Sequence, residues 1–295
     1  MKYIITGSLG NISKPVTEKL VAAGHSVTVI TSRASNISNI ESLGATAAVG
    51  SVEDAAFISQ TFKGADAVYL MIPPHFGVTD WYAHQVAVSQ NYVAAITANG
   101  IKHVVVLSSI GAHMRKGAGP IDGLGYLESE IEKLSGVHAK FLRPSYFITN
   151  LFQQAGMIKH AGIMGSAQPA DHQMVLVHPS DIAVVAAEEL ENLSFTGHNV
   201  RYIAGDERTW KEITEVLSAA VGKAGTPYVE FTDEQSYEGM LQAGLSAEIA
   251  KGYRNMGAAL RSKQVEADYW NNRPVLGKVK LEDFAKEFTA TYNAS

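Results

Sequence analysis

The stretch "ITGSLGNISKPV", residues 5–16, begins at the end of the short apolar segment "YII" (3–5) and contains two glycines separated by two residues. Downstream, Ile12, Val16, Leu20 and Ala23 recur at intervals of three or four, which predicts a helix with one buried face. A strand, a glycine turn and a helix in this order predict the first unit of an α/β fold. The loop of such a unit brings backbone N–H groups close to a bound phosphate.

Strand-like and helical segments alternate along the first half of the chain. The predicted strands are "KYIIT" (2–6), "SVTVIT" (26–31), "ATAAV" (45–49), "DAVYLMI" (66–72), "KHVVVLSS" (102–109) and "AKFLRP" (139–144). Several of these segments are apolar throughout, as expected where helices cover both faces of a sheet. The sequence therefore predicts a doubly wound parallel α/β sheet.

The second half follows a looser order of strands and helices, and no linker separates it from the first half. We therefore expect residues 1–150 to form a dinucleotide-binding domain. Residues 151–295 are expected to supply the remaining strands and a smaller, mainly helical cap that binds substrate at the carboxyl edge of the sheet.

Composition narrows the function classes. The chain has 295 residues, a formal net charge of −5 and no cysteine. Without a basic cluster a nucleic-acid partner is not expected, and without a long apolar segment or a signal peptide we expect a cytoplasmic protein that is not bound to a membrane. No local metal-ligand spacing occurs, so no metal is predicted. Monomer and homodimer both remain open.

The residues around the glycine loop favour NADP(H) as cofactor. Strand 2 ends in "VITSR", which lacks the carboxylate that would bind the adenosine ribose of NAD. Thr31, Ser32 and Arg33 offer two hydroxyls and a guanidinium suited to a 2′-phosphate. The simpler alternatives are a glycine turn that binds no ligand and an Arg33 that is merely solvated.

The segments "TGSLGNISKPV", "TSR", "YLMIPP", "VVVLSSIGA" and "KFLRPSYFITNLF" occur in this order, and in this pattern the chain resembles the NmrA-like branch of the atypical short-chain dehydrogenases. The resemblance implies a Rossmann-type fold. It also implies either an NADPH-dependent reductase of quinones and dyes or a redox-sensing regulator.

The resemblance also assigns cofactor contacts to five places along the chain. The pyrophosphate would contact the glycine loop, the 2′-phosphate the end of strand 2, and the adenine the segment after strand 3, where Ser51 replaces a frequent acid. The middle of the cofactor would follow the end of strand 4, and the nicotinamide would lie beside the ends of strands 5 and 6. In this order, the residues are Gly7, Leu9, Gly10, Asn11 and Ile12; Thr31, Ser32 and Arg33; Gly50, Ser51 and Val52; Met71, Ile72 and Pro73; and Ser108, Pro144 and Phe147.

This chain lacks the catalytic pair of typical short-chain dehydrogenases, a tyrosine and a lysine four positions apart on a helix. The corresponding residues are Tyr126 and Glu130, and a carboxylate beside a phenol raises the pKa of that phenol. Alcohol oxidation by a tyrosine base is therefore not expected. The catalytic residues stay unassigned, with Tyr126, Tyr146, His113 and Ser109 as weak candidates that could equally be packing residues.

Two functions follow from these observations. The first is an NADPH-dependent oxidoreductase that transfers hydride to a flat, quinone-like or otherwise conjugated small molecule, because such an acceptor delocalises negative charge and can be protonated by water. The second is a non-catalytic NADP(H)-binding redox sensor that acts through a protein partner. An epimerase is disfavoured because such relatives generally retain the tyrosine and lysine.

Overall fold

The computed structural model describes residues 1–294 and confirms the α/β architecture. The strands are β1 (Lys2–Ile5), β2 (Ser26–Thr31), β3 (Thr46–Val49), β4 (Ala67–Leu70), β5 (His103–Leu107), β6 (His138–Pro144), β7 (Tyr146–Phe147), β8 (Met164–Ser166), β9 (Gln173–Val177), β10 (His198–Ile203), β11 (Asp206–Thr209) and β12 (Tyr228–Glu230). The six strands predicted before residue 150 are all present, with bounds within two residues of those predicted.

Helices connect these strands and cover the sheet. They are α1 (Ser13–Ala22), α2 (Ile37–Ser42), α3 (Ala55–Thr61), α4 (Trp81–Asn99), α5 (Asp122–Ile131), α6 (Gln153–Ala161), α7 (Pro179–Asn192), α8 (Trp210–Ala220), α9 (Asp233–Gln242), α10 (Ala247–Arg261), α11 (Ala267–Asn271) and α12 (Leu281–Ala294). In residues 1–294, none of the helices has the length and apolarity needed to span a bilayer.

The main sheet has seven parallel strands in the order β3-β2-β1-β4-β5-β6-β10. The chain winds outward from β1 through β2 to β3, and then returns to place β4 on the other side of β1. Ile5 accordingly pairs with Val29 on one side and with Tyr69 on the other. Loops that leave β1 and β4 therefore diverge and open a crevice at their carboxyl ends, which is where ligands bind in sheets of this kind.

Alternate side chains of the strands form two separate cores. Tyr3 and Ile5 point to the face covered by α1 and α7, whereas Ile4 points to the face covered by α3, α4 and α5. All three side chains are fully buried. Burial of both faces explains why these strands are apolar at every position, and it holds the crevice rigidly at one edge of the sheet.

The part of the chain after residue 150 both extends the main sheet and builds a smaller unit. Strand β10 forms one edge of the main sheet, while β9 and β11 join β7, which precedes residue 150, in a second sheet in which β11 runs antiparallel to β9. Trp210, Phe284 and Phe288 lie in the core of this unit. Helices α9 and α10 pack against each other, and α10 also contacts α4. The division at residue 150 stays a prediction.

Candidate functional site

A cleft of about 1,090 Å³ lies at the carboxyl ends of β1, β2, β3 and β4. Its floor is the loop after β1, one wall is the loop after β2, and the opposite wall comes from the segments that follow β3 and β4. Eleven residues predicted to contact a cofactor line this cleft: Gly7, Leu9, Gly10, Thr31, Ser32, Arg33, Gly50, Ser51, Val52, Met71 and Pro73. Four separate segments of sequence therefore meet at one edge of the sheet.

The glycine loop is shaped by close packing. Gly7 has φ = +87°, and a Cβ atom there would lie 2.8 Å from Ser13 Oγ and 3.0 Å from Met71 Cγ. Ser13 is buried, and its hydroxyl donates to the Thr6 carbonyl at 2.9 Å. The small side chain of Ser13 thus allows α1 to pack closely against the end of β1. Pro15 stands in the first turn of α1, where a missing N–H breaks no helical hydrogen bond.

The wall after β2 carries a cation. The Arg33 side chain is exposed at the cleft and forms no ion pair with any residue in 1–294. Asn36 Nδ2 donates to Ser8 Oγ at 3.0 Å and to Thr31 Oγ1 at 3.1 Å, and Ser8 Oγ donates to Thr31 Oγ1 at 3.0 Å. These hydrogen bonds join the loop after β1 to the wall after β2, and they leave the guanidinium free to bind an anion.

The opposite wall is held by buried hydrogen bonds. Met71 N donates to Thr6 Oγ1 at 2.8 Å, and Tyr92 OH on α4 donates to the Met71 carbonyl at 2.8 Å. The backbone after β4 is therefore fixed from both sides, by β1 and by α4. Leu9 and Met71 are half-buried and pack on the same core cluster as Phe147.

Six predicted cofactor residues do not line the cleft, namely Asn11, Ile12, Ile72, Ser108, Pro144 and Phe147. Four of them, Ile12, Ile72, Ser108 and Pro144, are buried, Asn11 is exposed in the turn before α1, and Phe147 is half-buried. Their side chains lie in the core, partly in the core or at the surface, and not in the lining of the cleft. Their assignment as cofactor contacts stays a prediction.

Ser108 belongs to a buried ionic network below the end of β5. Its hydroxyl donates to Glu128 Oε1 at 2.6 Å, and the same carboxylate accepts two hydrogen bonds from Arg143, at 3.0 Å and 2.6 Å. Glu128 is fully buried and Arg143 is 4% exposed. Arg143 also donates to Asp268 on α11 at 3.0 Å. The network joins β5, β6, α5 and α11, so it holds the cap segment against the sheet.

The structure places Tyr126 on the outer side of α5, against α4. Its hydroxyl accepts a hydrogen bond from Gln90 Nε2 at 3.4 Å, and its ring meets Tyr82 edge-on with centroids 6.4 Å apart. Glu130 pairs with Lys133 at 2.6 Å. Neither Tyr126 nor Glu130 lines the cleft. These contacts describe a helix packing surface and contain no tyrosine activated by a lysine.

The other catalytic candidates are not gathered into one constellation. Burial lowers the pKa of His113, whose Nδ1 has no hydrogen-bond partner in residues 1–294. Burial also raises the pKa of Tyr146, and nearby Tyr253 raises it further, so this phenol is a weaker proton donor than a free tyrosine. Ser109 is half-buried in the loop after β5, two residues beyond the end of that strand.

An aromatic cluster joins the segment after β4 to the cap. Trp81 at the start of α4 packs edge-on against Tyr253 of α10, with ring centroids 5.5 Å apart, and Phe76 lies 6.0 Å from Trp81. Trp81 is buried, whereas Phe76 is 52% exposed. The cluster therefore connects the segment between β4 and α4 to helix α10.

Several residues of the cleft were missed by the sequence reasoning, namely Ser8, Lys14, Asn36, Glu53, His75 and His84. Lys14 could have been found, because it stands in the first turn after the glycine loop. Ser8 and Glu53 could also have been found, because Ser8 stands between Gly7 and Leu9 and Glu53 directly follows Val52. Asn36, His75 and His84 carry no such signal, since they reach the cleft only in the folded chain. Burial lowers the pKa of His84; Glu53 opposes this shift and His75 adds to it.

Comparison with known proteins identifies several similar chains. A model of the NmrA-like family matches residues 2–268. The chain is 27% identical over 223 residues to the (4-alkanoyl-5-oxo-2,5-dihydrofuran-3-yl)methyl phosphate reductase of Streptomyces griseus, covering 75% of this chain and 74% of that one. It is 24% identical to the NAD(P)H azoreductase of Xenophilus azovorans, covering 99% of both chains. The fold is similar to that of the Citrobacter sp. triphenylmethane reductase complexed with NADP(H), with a TM-score of 0.80, 17% identity and coverage of 97% of this chain and 99% of that one.

Proposed function

The chain belongs to the NmrA-like family, and on that premise we propose that it is an NADPH-dependent reductase that transfers hydride to a quinone-like or otherwise conjugated acceptor. The observation that carries the proposal is the cleft described above, in which a glycine loop and an unpaired guanidinium face the same space. Its volume of about 1,090 Å³ lies at the upper end of the range for small-molecule sites.

The charges around the cleft favour NADPH over NADH. Arg33 lines the cleft just after β2, where the resemblance implies the adenosine ribose, and Lys14 adds a second cation beside the glycine loop. No carboxylate follows β2 within the segment "TSRASN" to repel a 2′-phosphate. Glu53, the acid of the cleft, lies on the opposite wall after β3. An arginine can bind a phosphate through two parallel hydrogen bonds.

The aromatic residues beside the cleft also indicate which acceptors the site would take. Bound NADPH would supply a hydride, and the chain's own task would be to hold the acceptor in place and exclude water. Phe147 lies outside the lining but packs on the same core cluster as the cleft residues Leu9 and Met71, so with Tyr146 it would offer an aromatic surface to a flat molecule beside the cleft. Because no tyrosine–lysine pair faces the cleft, the acceptor must delocalise the incoming charge and take its proton from solvent or from a weak donor.

The names of the relatives agree with this choice of acceptor. An azo dye, a triphenylmethane dye and an unsaturated lactone all offer a conjugated electrophilic centre to a hydride. A non-catalytic redox sensor is not favoured, because these relatives are named as reductases. The cytoplasmic location, the absence of a nucleic-acid partner and the choice between monomer and homodimer stay predictions.

The proposal is tested by following loss of NADPH absorbance while the purified chain is offered an azo dye, a triphenylmethane dye, a benzoquinone and an unsaturated lactone. We expect turnover with at least one of these acceptors and none with a saturated ketone. Phe147→Ala should reduce turnover, whereas Tyr126→Phe should leave it unchanged, because Tyr126 packs between helices. A chain that binds NADPH but oxidises it with none of the acceptors would favour the sensor instead.

A further inference from the structure

Three potential metal ligands meet at the rim of the cleft. Glu53, His75 and His84 each offer one ligand atom, and these atoms all lie within 4.8 Å of one another. His75 Nδ1 is 3.4 Å from Glu53 Oε1, and the two imidazole rings stand edge to face with centroids 5.1 Å apart. In residues 1–294, no second group of three or more histidine or acidic ligands lies this close together.

The fold positions these three side chains from different elements. Glu53 follows β3, His75 lies in the connection between β4 and α4, and His84 is in the first turn of α4. Asn91, two turns further along α4, donates to the carbonyls of Val52 and Glu53 at 3.1 Å and 2.9 Å. One helix therefore carries one ligand and anchors the backbone of a second.

From this geometry we propose that Glu53, His75 and His84 form a binding site for a divalent transition-metal ion, with zinc as the ion best suited to the ligands. Two imidazole nitrogens and a carboxylate oxygen are a ligand set that zinc accepts, with the fourth position open to water. In a tetrahedral site with bonds of about 2.0–2.1 Å, neighbouring ligand atoms lie about 3.3 Å apart. The His75–Glu53 distance already has this value within about 0.1 Å.

The remaining adjustment falls on exposed side chains. Glu53 and His75 are 52% and 50% exposed, so their rotation toward the ion does not disturb the core. Bound there, the ion would join the loop after β3 to the segment after β4 and to α4, across one corner of the cleft. The site does not depend on the hydride transfer proposed above.

A second histidine pair provides a matched control. His103 and His138 lie on neighbouring strands with ring centroids 5.3 Å apart, close to the 5.1 Å of His75 and His84. His138 Nδ1 is already engaged as the acceptor of the Gly197 N–H at 3.0 Å. With one nitrogen engaged and no third ligand within reach in the described chain, this pair should not hold an ion.

The test is a titration of the full chain with Co²⁺, whose visible absorption reports coordination by protein ligands, followed by displacement with Zn²⁺. We expect one ion per chain, and a fall in affinity of about ten-fold or more in His75→Ala, His84→Ala and Glu53→Gln, since even changes behind the ligands commonly weaken metal sites by that factor. His103→Ala should bind as the unchanged chain does.

A second measurement separates loss of the site from loss of the fold. Zn²⁺ should raise the Tm of the unchanged chain and of His103→Ala, but not that of His84→Ala, while all three should share a similar Tm without metal. Absence of a Co²⁺ spectrum, or a spectrum that persists in both His75→Ala and His84→Ala, would overturn the proposal. Because no NADPH is used, either outcome leaves the proposed reductase activity to its own test.

Discussion

Replacement of Arg33 by alanine should convert a selective cofactor site into an unselective one. The guanidinium is exposed at the cleft and unpaired, so it is free to bind the 2′-phosphate that distinguishes NADPH from NADH. Hydrogen bonds to charged groups contribute about 1.5–3 kcal/mol, and the exposure of Arg33 places this contact in the lower half of that range. At about 1.4 kcal/mol for each factor of ten, NADPH affinity should fall roughly ten- to thirty-fold.

The affinity for NADH should change by less than about two-fold, because NADH carries a neutral 2′-hydroxyl in place of the charged 2′-phosphate. Both dissociation constants are measured by titration of the nicotinamide fluorescence of the reduced cofactors. Raising the salt concentration should weaken NADPH binding to the unchanged chain more than to Arg33→Ala, since an exposed charge interaction is screened.

Lys14→Ala provides the control for a general loss of positive charge. Lys14 stands beside the glycine loop, where we propose that the pyrophosphate shared by both cofactors binds, so its removal should weaken NADPH and NADH to a similar extent. If Arg33→Ala weakens both cofactors equally, Arg33 does not recognise the 2′-phosphate and the assignment of NADP(H) is refuted.

Two further predictions concern stability. In urea unfolding, Gly7→Ala should lower the free energy of unfolding clearly more than Gly24→Ala. Both positions have positive φ, which costs about 1–2 kcal/mol in a residue with a Cβ, but only at Gly7 would that Cβ also press on Ser13 and Met71. Equal losses of unfolding free energy would contradict the packing argument. Burial holds the pKa of His113 in the folded chain below its unfolded value near 6.5. As the pH falls through about 6.5, the unfolded chain therefore binds more protons than the folded chain, and Tm should fall between about pH 7.5 and about pH 5.5. His113→Gln should show a smaller decline, and an unchanged decline would show that His113 does not contribute to it.

The strands and the glycine loop could be predicted because their signals are local. An apolar segment such as "VVVL" is legible from neighbouring residues alone, and the glycine spacing reports the backbone conformation of one short loop. Arg33 could be placed at the cleft for the same reason, since it directly follows a strand whose carboxyl end must face the crevice. The sequence near the end of a strand thus suffices to predict which residues lie at the carboxyl edge of the parallel sheet.

Side-chain direction and contacts between distant segments were decided only by the tertiary structure. Ser108 was placed correctly at the end of a strand, yet its hydroxyl is engaged by buried Glu128, which no spacing reveals. The meeting of Glu53, His75 and His84 depends on β3 and β4 being separated by β2 and β1 in the sheet and on how α4 packs above them. Strand order and helix packing are set by the whole core, because burial is a property of the assembled chain and of no single segment.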